Sequence, residues 1–381
     1  MKILIVAIPS IHTRRWISQL KDSGIEVHWF DILNGGRMTG LDWVHQHTNW
    51  RWRFGDFKGR TFIKKHLSFL HKLLERDPAK EFEKLLNTIK PEIVQSIVLY
   101  KCAAPILPIM MKYPHIKWIY SAWGNDLYYY QHFNDYKKEI DSVLPYLDYM
   151  FADCKRDLQL AVRLGFRGEI LGSFPGGGGY HLEMIDEPVK AYNERQFMIL
   201  KGYQSDKHRA LNVLKALELC DISIPIIIFS ADKTVSQYIK NSKKLQEKVH
   251  QIYTKEDSLS HKELLRLMNR SMIYIGNNLS DGMPNTLLES ICFGAFPIQS
   301  NPGGATAEII DHNQNGLLIE DCEDIVDIKN NILEAVNRNM LRKKAFDINM
   351  LLRQKLEYQF VRDKVLKQYE FVFKDKLNIK R

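Results

Sequence analysis

The stretch NNLSDGMPNTLLESICFG, residues 277–294, sets two carboxylates eight positions apart, one in a turn and one in an apolar run. Asp281 lies in the turn with Gly282 and Pro284 just after it, and Glu289 falls among Leu287, Leu288 and Ile291. Proline suits the first turn of a helix, so a helix is predicted to begin at Pro284. Its unpaired first-turn N–H groups and the positive end of its dipole then face the turn, a place where phosphate and sugar oxygens bind. A carboxylate accepts two hydrogen bonds from a vicinal diol. With Asp281 outside the helix and Glu289 about a turn and a half inside it, one acid can take a sugar and the other a ribose. A purely structural reading makes Asp281 the helix cap and leaves Glu289 solvated or ion-paired. It explains the first acid well, and the second, set among leucines, poorly.

A strand, SMIYIG, leads into that turn, and the same alternation of buried apolar runs and helical stretches fills the chain. KILIVAIPSIHTRRWISQLKDSGIEVHWFDI reads as strand, helix near 12–22 ended by Gly24, and strand. Strands are expected at PEIVQSIVLY, IKWIYSAW, LDYMFADC and GEILGSF, with helices near 102–112, 133–144 and 155–164. FPGGGGYHLEMIDEP, residues 174–188, breaks the rhythm with four consecutive glycines and marks a linker, read as a hinge. The alternation then restarts with FMILKGY, a helix near 207–219, IPIIIFSA, EKVHQIY, a helix near 260–269, SMIYIG, AFPIQS and GLLIE. The fold class predicted is α/β, two Rossmann-like doubly wound domains facing across a cleft, with C-terminal helices near 341–374 returning to the first. The expected boundaries are 1–173, a linker at 174–194, 195–355, and a returning helix at 356–381.

At 381 residues and 45% hydrophobic content the chain has apolar material for two cores. Five cysteines without a C-x-x-C pair or a paired Cys/His ligand spacing argue against a disulfide framework and a structural zinc site, and fit a reducing cytoplasm. ILIVAI lacks signal-peptide flanks, and no apolar run nears the ~18 residues of a membrane span. The charge is uneven: residues 47–77 hold eight Lys/Arg against three acids, +5 of the chain's net +9, interleaved with Trp50, Trp52, Phe54, Phe57 and Phe62. Such a mixture suits the headgroup zone of an anionic membrane. A solvated basic loop with anchoring aromatics is the plainer reading, and nucleic acid is disfavoured because no recognition signature accompanies the segment.

The turn-and-helix stretch resembles the E-x7-E signature of retaining glycosyltransferases with the two-domain GT-B fold, group 1 or family 4-like. FGAFPIQSNPGGATAEIIDHNQNGLLIE, residues 293–320, resembles the segment directly after that signature in the family. The likeness covers nearly all of the second domain and, more loosely, the βαβ opening, SAWGNDLYY and the C-terminal helices. It implies that the second domain binds the nucleotide sugar and the first the acceptor. Asp281 then contacts donor-sugar hydroxyls, its side chain one methylene shorter than the usual Glu, and Glu289 contacts the ribose. Gly282 and the amides of Asn285 and Thr286 are implied to take sugar or phosphate oxygens, Gly304 to approach the donor, and Tyr253, in HQIYTKEDS, to lie near the base. In LKGYQSDKHRAL, Tyr203 stands at the family's arginine position and Arg209 at its lysine position, with Lys207 close by. These cations are expected to stabilise the departing diphosphate, a solvated helix start being the plainer alternative.

In the first domain AIPSIHTRRW replaces the family's Gly-Gly, with Ser10 a candidate cap and His12 opening the helix. Trp123 stands where the family often has a His, and Asp126 is implied as a polar group near the reacting carbon, an Asx turn being its plainer role. No Asp-x-Asp occurs, so transfer is expected to need neither metal nor cofactor. The reading is a retaining hexosyltransferase using a nucleoside-diphosphate sugar, UDP-linked by expectation. Its acceptor is a glycan or lipid-linked precursor of polysaccharide biosynthesis, at the cytoplasmic face of a membrane. The alternatives are a nucleotide-sugar epimerase on the same fold and a non-catalytic sugar-nucleotide or nucleic-acid binding protein.

Overall fold

A computed structural model describes residues 1–52 and 74–379. The basic aromatic segment at 47–77 therefore lies mostly outside the described residues. The chain divides into two compact units: Met1–Asp153, Asp157–Gly178 and Arg362–Arg381 form the first, and Cys154–Arg156 and Gly179–Val361 the second. Both are Rossmann-like and doubly wound.

The first unit holds β1 (Lys2–Ala7), β2 (Glu26–Asp31), β3 (His45–His47), β4 (Ile93–Ile97), β5 (Lys117–Ala122), β6 (Tyr149–Ala152) and β7 (Glu169–Ser173). They lie in the order β3-β2-β1-β4-β5-β6-β7, every pairing parallel. Parallel strands covered on both faces need near-continuous apolar sequence, and Ile3, Leu4, Ile5, Val6 and Ala7 are all fully buried. Each large aliphatic side chain so buried contributes ~1.5–3 kcal/mol.

The helix Tyr358–Ile379 enters this unit at Arg362 and buries Val365, Tyr369, Val372 and Phe373, a spacing that lines one helical face. Tyr369 Oη donates to Gln95 Oε1 at 2.6 Å and accepts from Trp16 Nε1 at 2.9 Å. The Arg362 guanidinium donates to the carbonyls of Gln19 (2.9 Å) and Lys21 (2.6 Å), closing the end of the helix Ile11–Ser18. The C-terminal chain thus returns to the first domain, as expected, although the helical region is two helices, Asn339–Leu356 and Tyr358–Ile379.

The second unit holds β8 (Phe197–Lys201), β9 (Ile226–Ala231), β10 (Val249–Thr254), β11 (Ser271–Gly276), β12 (Phe296–Ser300) and β13 (Leu317–Ile319). Their order is β10-β9-β8-β11-β12-β13, again parallel throughout. Strand order reverses direction between β8 and β11, and in such sheets ligands bind outside the carboxyl ends at that switch point.

Two local expectations differ from what forms. The first helix is Ile11–Ser18 rather than 12–22, because the chain already turns by Asp22 (φ 57°) before Gly24 (φ 75°). The helix expected near 102–112 is a π-helical turn, a 3₁₀ turn and the single turn Leu107–Met110. Pro105 and Pro108 remove the N–H groups that a continuous helix would need. No described helix is long and apolar enough to cross a membrane.

Candidate functional site

Two loops leave the switch point of the second sheet, 202–209 after β8 and 277–284 after β11. They are joined by their backbones: Arg209 N–H donates to the Asn277 carbonyl (2.9 Å) and Leu279 N–H to the Lys207 carbonyl (2.8 Å). The Asn277 side chain adds a bond to the Cys322 carbonyl at 2.9 Å, tying in the loop after β13. Gly202 opens the first loop because β9 passes against it. A Cβ there would lie 2.7 Å from the Ala231 Cα and 2.8 Å from Ile228 Cγ2.

Asp281 is half-buried in the second loop and does not cap the helix. Its Oδ2 accepts from the Asn278 side chain at 3.1 Å and its Oδ1 from its neighbour's N–H, Gly282, at 2.9 Å. The helix is Asn285–Cys292, and Pro284 precedes it instead of beginning it. The Pro284 carbonyl accepts from both Leu287 N–H (3.1 Å) and Leu288 N–H (3.2 Å). In the first turn the Asn285 side chain accepts from Tyr180 Oη at 2.7 Å, and the Thr286 hydroxyl lies 2.9 Å from Tyr274 Oη. Glu289, further in, is only 3% exposed. Its Oε1 is 2.7 Å from Nε2 of His261, the first residue of the helix His261–Arg270. A carboxylate this buried persists only with such partners.

The cations are arranged differently from the expectation. The Arg209 guanidinium turns back on its own loop, donating to the carbonyls of Ser205 (2.9 Å) and Asp206 (3.1 Å) and pairing with Glu323 (2.9 Å). Lys207 pairs with Asp206 at 3.2 Å. The ammonium groups of Lys201 and Lys255 lie 4.9 and 4.4 Å from the centroid of the Tyr203 ring. Such cation–π contacts hold charge at a site without neutralising it. Desolvation lowers the Lys201 ammonium below its ordinary range, while Asp281 and Glu289 act in the opposite direction. Lys255 also pairs with Asp232 at 2.6 Å. His208 packs edge-on against Tyr203, and burial first, then Lys201, brings its imidazole down to about 4, so it is neutral at neutral pH. Tyr253 is half-buried on β10, the sheet's edge, two residues before Lys255. Gly304 lies in the loop after β12 at φ 85°, a left-handed conformation that suits glycine.

In the first unit Ser10 is the N-cap of the helix after β1, its hydroxyl accepting from Thr13 N–H at 3.0 Å, and His12 sits in that helix's first turn. Trp123 follows β5 and packs edge-to-face on Trp16 with centroids 5.6 Å apart. Asp126 is buried, and its Oδ2 accepts from Leu99 N–H (2.7 Å) and Tyr120 Oη (2.5 Å). It thereby anchors the turn after β4, where Val98 has φ 74°, a costly conformation for a β-branched residue. Desolvation pushes the Asp126 carboxyl up to about 7, against the lowering effect of those two hydrogen bonds.

The second unit therefore brings Asp281, Gly282, Asn285, Thr286, Glu289, Tyr203, Lys207 and Arg209 to one switch point or to the helix that opens from it. Ser10, His12, Trp123 and Asp126 belong to the first unit and follow the carboxyl ends of β1 and β5. Lys201, Lys255 and His261 are additions. Lys201 ends the otherwise apolar strand FMILK, and His261 follows the Ser260 N-cap of a capping box with Glu263.

Residues 183–347 match the model of a family described as glycosyl transferases group 1. No curated protein matches the chain by sequence. In structure the chain is similar to the lipopolysaccharide outer core galactosyltransferase WaaB in its apo form, with a TM-score of 0.70 and 16% identity over 99% of this chain and 100% of that one. It is also similar to sucrose-phosphate synthase from Thermosynechococcus elongatus, with a TM-score of 0.69 and 11% identity over 98% and 99% of the two chains. Anabaena Alr3699/HepE in complex with UDP-glucose gives 0.64 and 12%, over 97% and 99%. At these identities the likeness is one of fold, the GT-B pair of Rossmann-like domains.

Proposed function

With a second unit that matches the model of the group 1 glycosyl transferases over residues 183–347, we propose that this protein is a retaining enzyme that moves a hexose-type sugar from a nucleoside-diphosphate sugar to an acceptor hydroxyl. The observation that carries the reading is the pairing of Asp281 and Glu289 at one switch point, one carboxylate in the loop after β11 and one buried in the helix directly after it. Glu289, oriented by His261, holds the ribose diol. Asp281, oriented by Asn278, holds hydroxyls of the transferred sugar, and the first-turn amides at Asn285 and Thr286 take sugar or phosphate oxygens. The bond from the anomeric carbon to the diphosphate oxygen breaks, and the charge that develops is stabilised by Lys201, Lys255 and Lys207. The acceptor oxygen attacks from the face the diphosphate leaves, and a diphosphate oxygen takes its proton. No side chain serves as nucleophile, and no metal or cofactor is assigned a step. Trp123 and Asp126 are the acceptor-side candidates.

UDP is the favoured nucleotide because Alr3699/HepE, similar in fold, binds UDP and UDP-glucose. A lipid-linked or surface-polysaccharide acceptor at the cytoplasmic face of a membrane is favoured by the basic aromatic segment at 47–77. The test is proton NMR of the purified protein with UDP-glucose, UDP-galactose and UDP-N-acetylglucosamine and no acceptor, reading the anomer first released by slow hydrolysis. Release of the α-anomer from one donor is expected. The β-anomer contradicts retention, and an epimerised nucleotide sugar or no turnover of any donor contradicts transfer.

A further inference from the structure

We propose that Glu26, His28 and His45 form a site for a transition-metal dication of the zinc class on the edge of the first sheet, apart from the nucleotide-sugar site. The sequence places E-x-H on β2 and H-x-H on β3. The parallel register sets His28 beside His45 and Phe30 beside His47. Alternate residues of a strand share a face, so one face of two neighbouring strands carries a carboxylate and three imidazoles.

The side chains are already gathered. The ring of His28 stacks on that of His45 at 4.6 Å between centroids, and on that of His47 at 5.3 Å. Nε2 of His28 is 2.8 Å from Glu26 Oε1, and its Nδ1 is 3.1 Å from His47 Nε2. One ligand atom from each of Glu26, His28 and His45 lies within 4.8 Å of the others. Around a tetrahedral ion with bonds of ~2.0–2.1 Å, neighbouring ligand atoms are about 3.3 Å apart. Reaching that geometry takes small movements of Glu26 and His45, both exposed, about a buried His28. His28 binds through Nε2, and its Nδ1–H donates to His47, the second hydrogen bond that fixes a metal-bound imidazole.

Two imidazoles beside a single carboxylate favour zinc, nickel or copper over magnesium or calcium, because imidazole nitrogen suits those metals and the hard cations prefer oxygen. Three protein ligands on an open surface leave the fourth position to water. Lys2, whose ammonium is 3.4 Å from Glu26, is a competing cation, and its exposed side chain can swing outward. The ion would pin the three-residue edge strand β3 to β2.

The test uses the full chain, stripped with chelator and titrated with Co²⁺ by visible absorption and with Zn²⁺ by calorimetry. One equivalent of each is expected, with tetrahedral Co²⁺ bands. His45→Ala abolishes the site, and His47→Phe weakens it roughly 10- to 100-fold, with circular dichroism checking that both variants fold. Absence of binding to the wild type, or unchanged stoichiometry and affinity in His45→Ala, overturns the proposal.

Discussion

Replacing Asp126 by Asn isolates the energetic consequence of a buried carboxyl at the candidate acceptor side. The carboxyl is raised from its ordinary 3.8 to about 7, first by burial. A rise of about three pH units, at ~1.4 kcal/mol each, makes ionised Asp126 cost the native state ~4 kcal/mol. Below about pH 4 the folded and unfolded chains both hold this proton, and the cost is absent. Between about pH 4 and 7 the native state holds a proton that the unfolded chain has lost, so this group's contribution to stability falls as pH rises, and above about pH 7 the cost is complete. Asn is neutral throughout, and its oxygen can still accept from Tyr120 and Leu99. Relative to wild type, Asp126→Asn therefore gains about 3 kcal/mol between pH 5 and pH 8. Urea unfolding followed by tryptophan fluorescence measures it cleanly, because all seven tryptophans, at 16, 29, 43, 50, 52, 118 and 123, lie in the first unit. Parallel stability–pH curves for the two proteins would refute the reasoning and leave Asp126 an ordinary ionised carboxylate.

Gly202→Ala must push its new methyl against Ala231, so a loss of ~1–3 kcal/mol in urea stability together with weaker UDP binding is expected; an unchanged midpoint contradicts the packing described. His261→Phe removes the 2.7 Å partner of Glu289 and is expected to cost ~1.5–3 kcal/mol of stability and to weaken UDP in calorimetry. Affinity equal to wild type would separate His261 from the ribose contact. Lys201→Met is expected to lower UDP affinity roughly ten- to a hundredfold, as loss of one charge-assisted contact does, and to flatten its salt dependence. A variant with the same affinity and salt slope would assign the diphosphate to other groups.

Much of the fold is legible because parallel strands buried on both faces write themselves as near-continuous apolar runs: KILIVA, FMILK and IIIFSA are strands for that reason. The Asp281–Glu289 spacing is legible too, since it depends only on a turn and the helix directly after it. What fails to show is whatever depends on partners distant in sequence. His261 meets Glu289 across 28 residues, and Lys255 reaches Tyr203 from a strand two positions away in the sheet. Arg209, the cation best matched by position, faces Glu323, 114 residues on. The histidine cluster escapes a search for closely spaced ligands because its pairs sit on separate strands, and only their register joins them. Helix ends shift for local reasons, as at Pro284, whose carbonyl serves the helix from just outside it.

The measurement closest to the central claim is calorimetric titration of the wild-type protein with UDP, GDP and ADP, beside Glu289→Ala. One nucleotide, UDP, is predicted to bind clearly to the wild type and to lose most of its affinity in the variant. Binding of none of the three, or a variant that binds as well as wild type, would contradict a donor site at the β8/β11 switch point and return Glu289 to the role of a buried partner for His261.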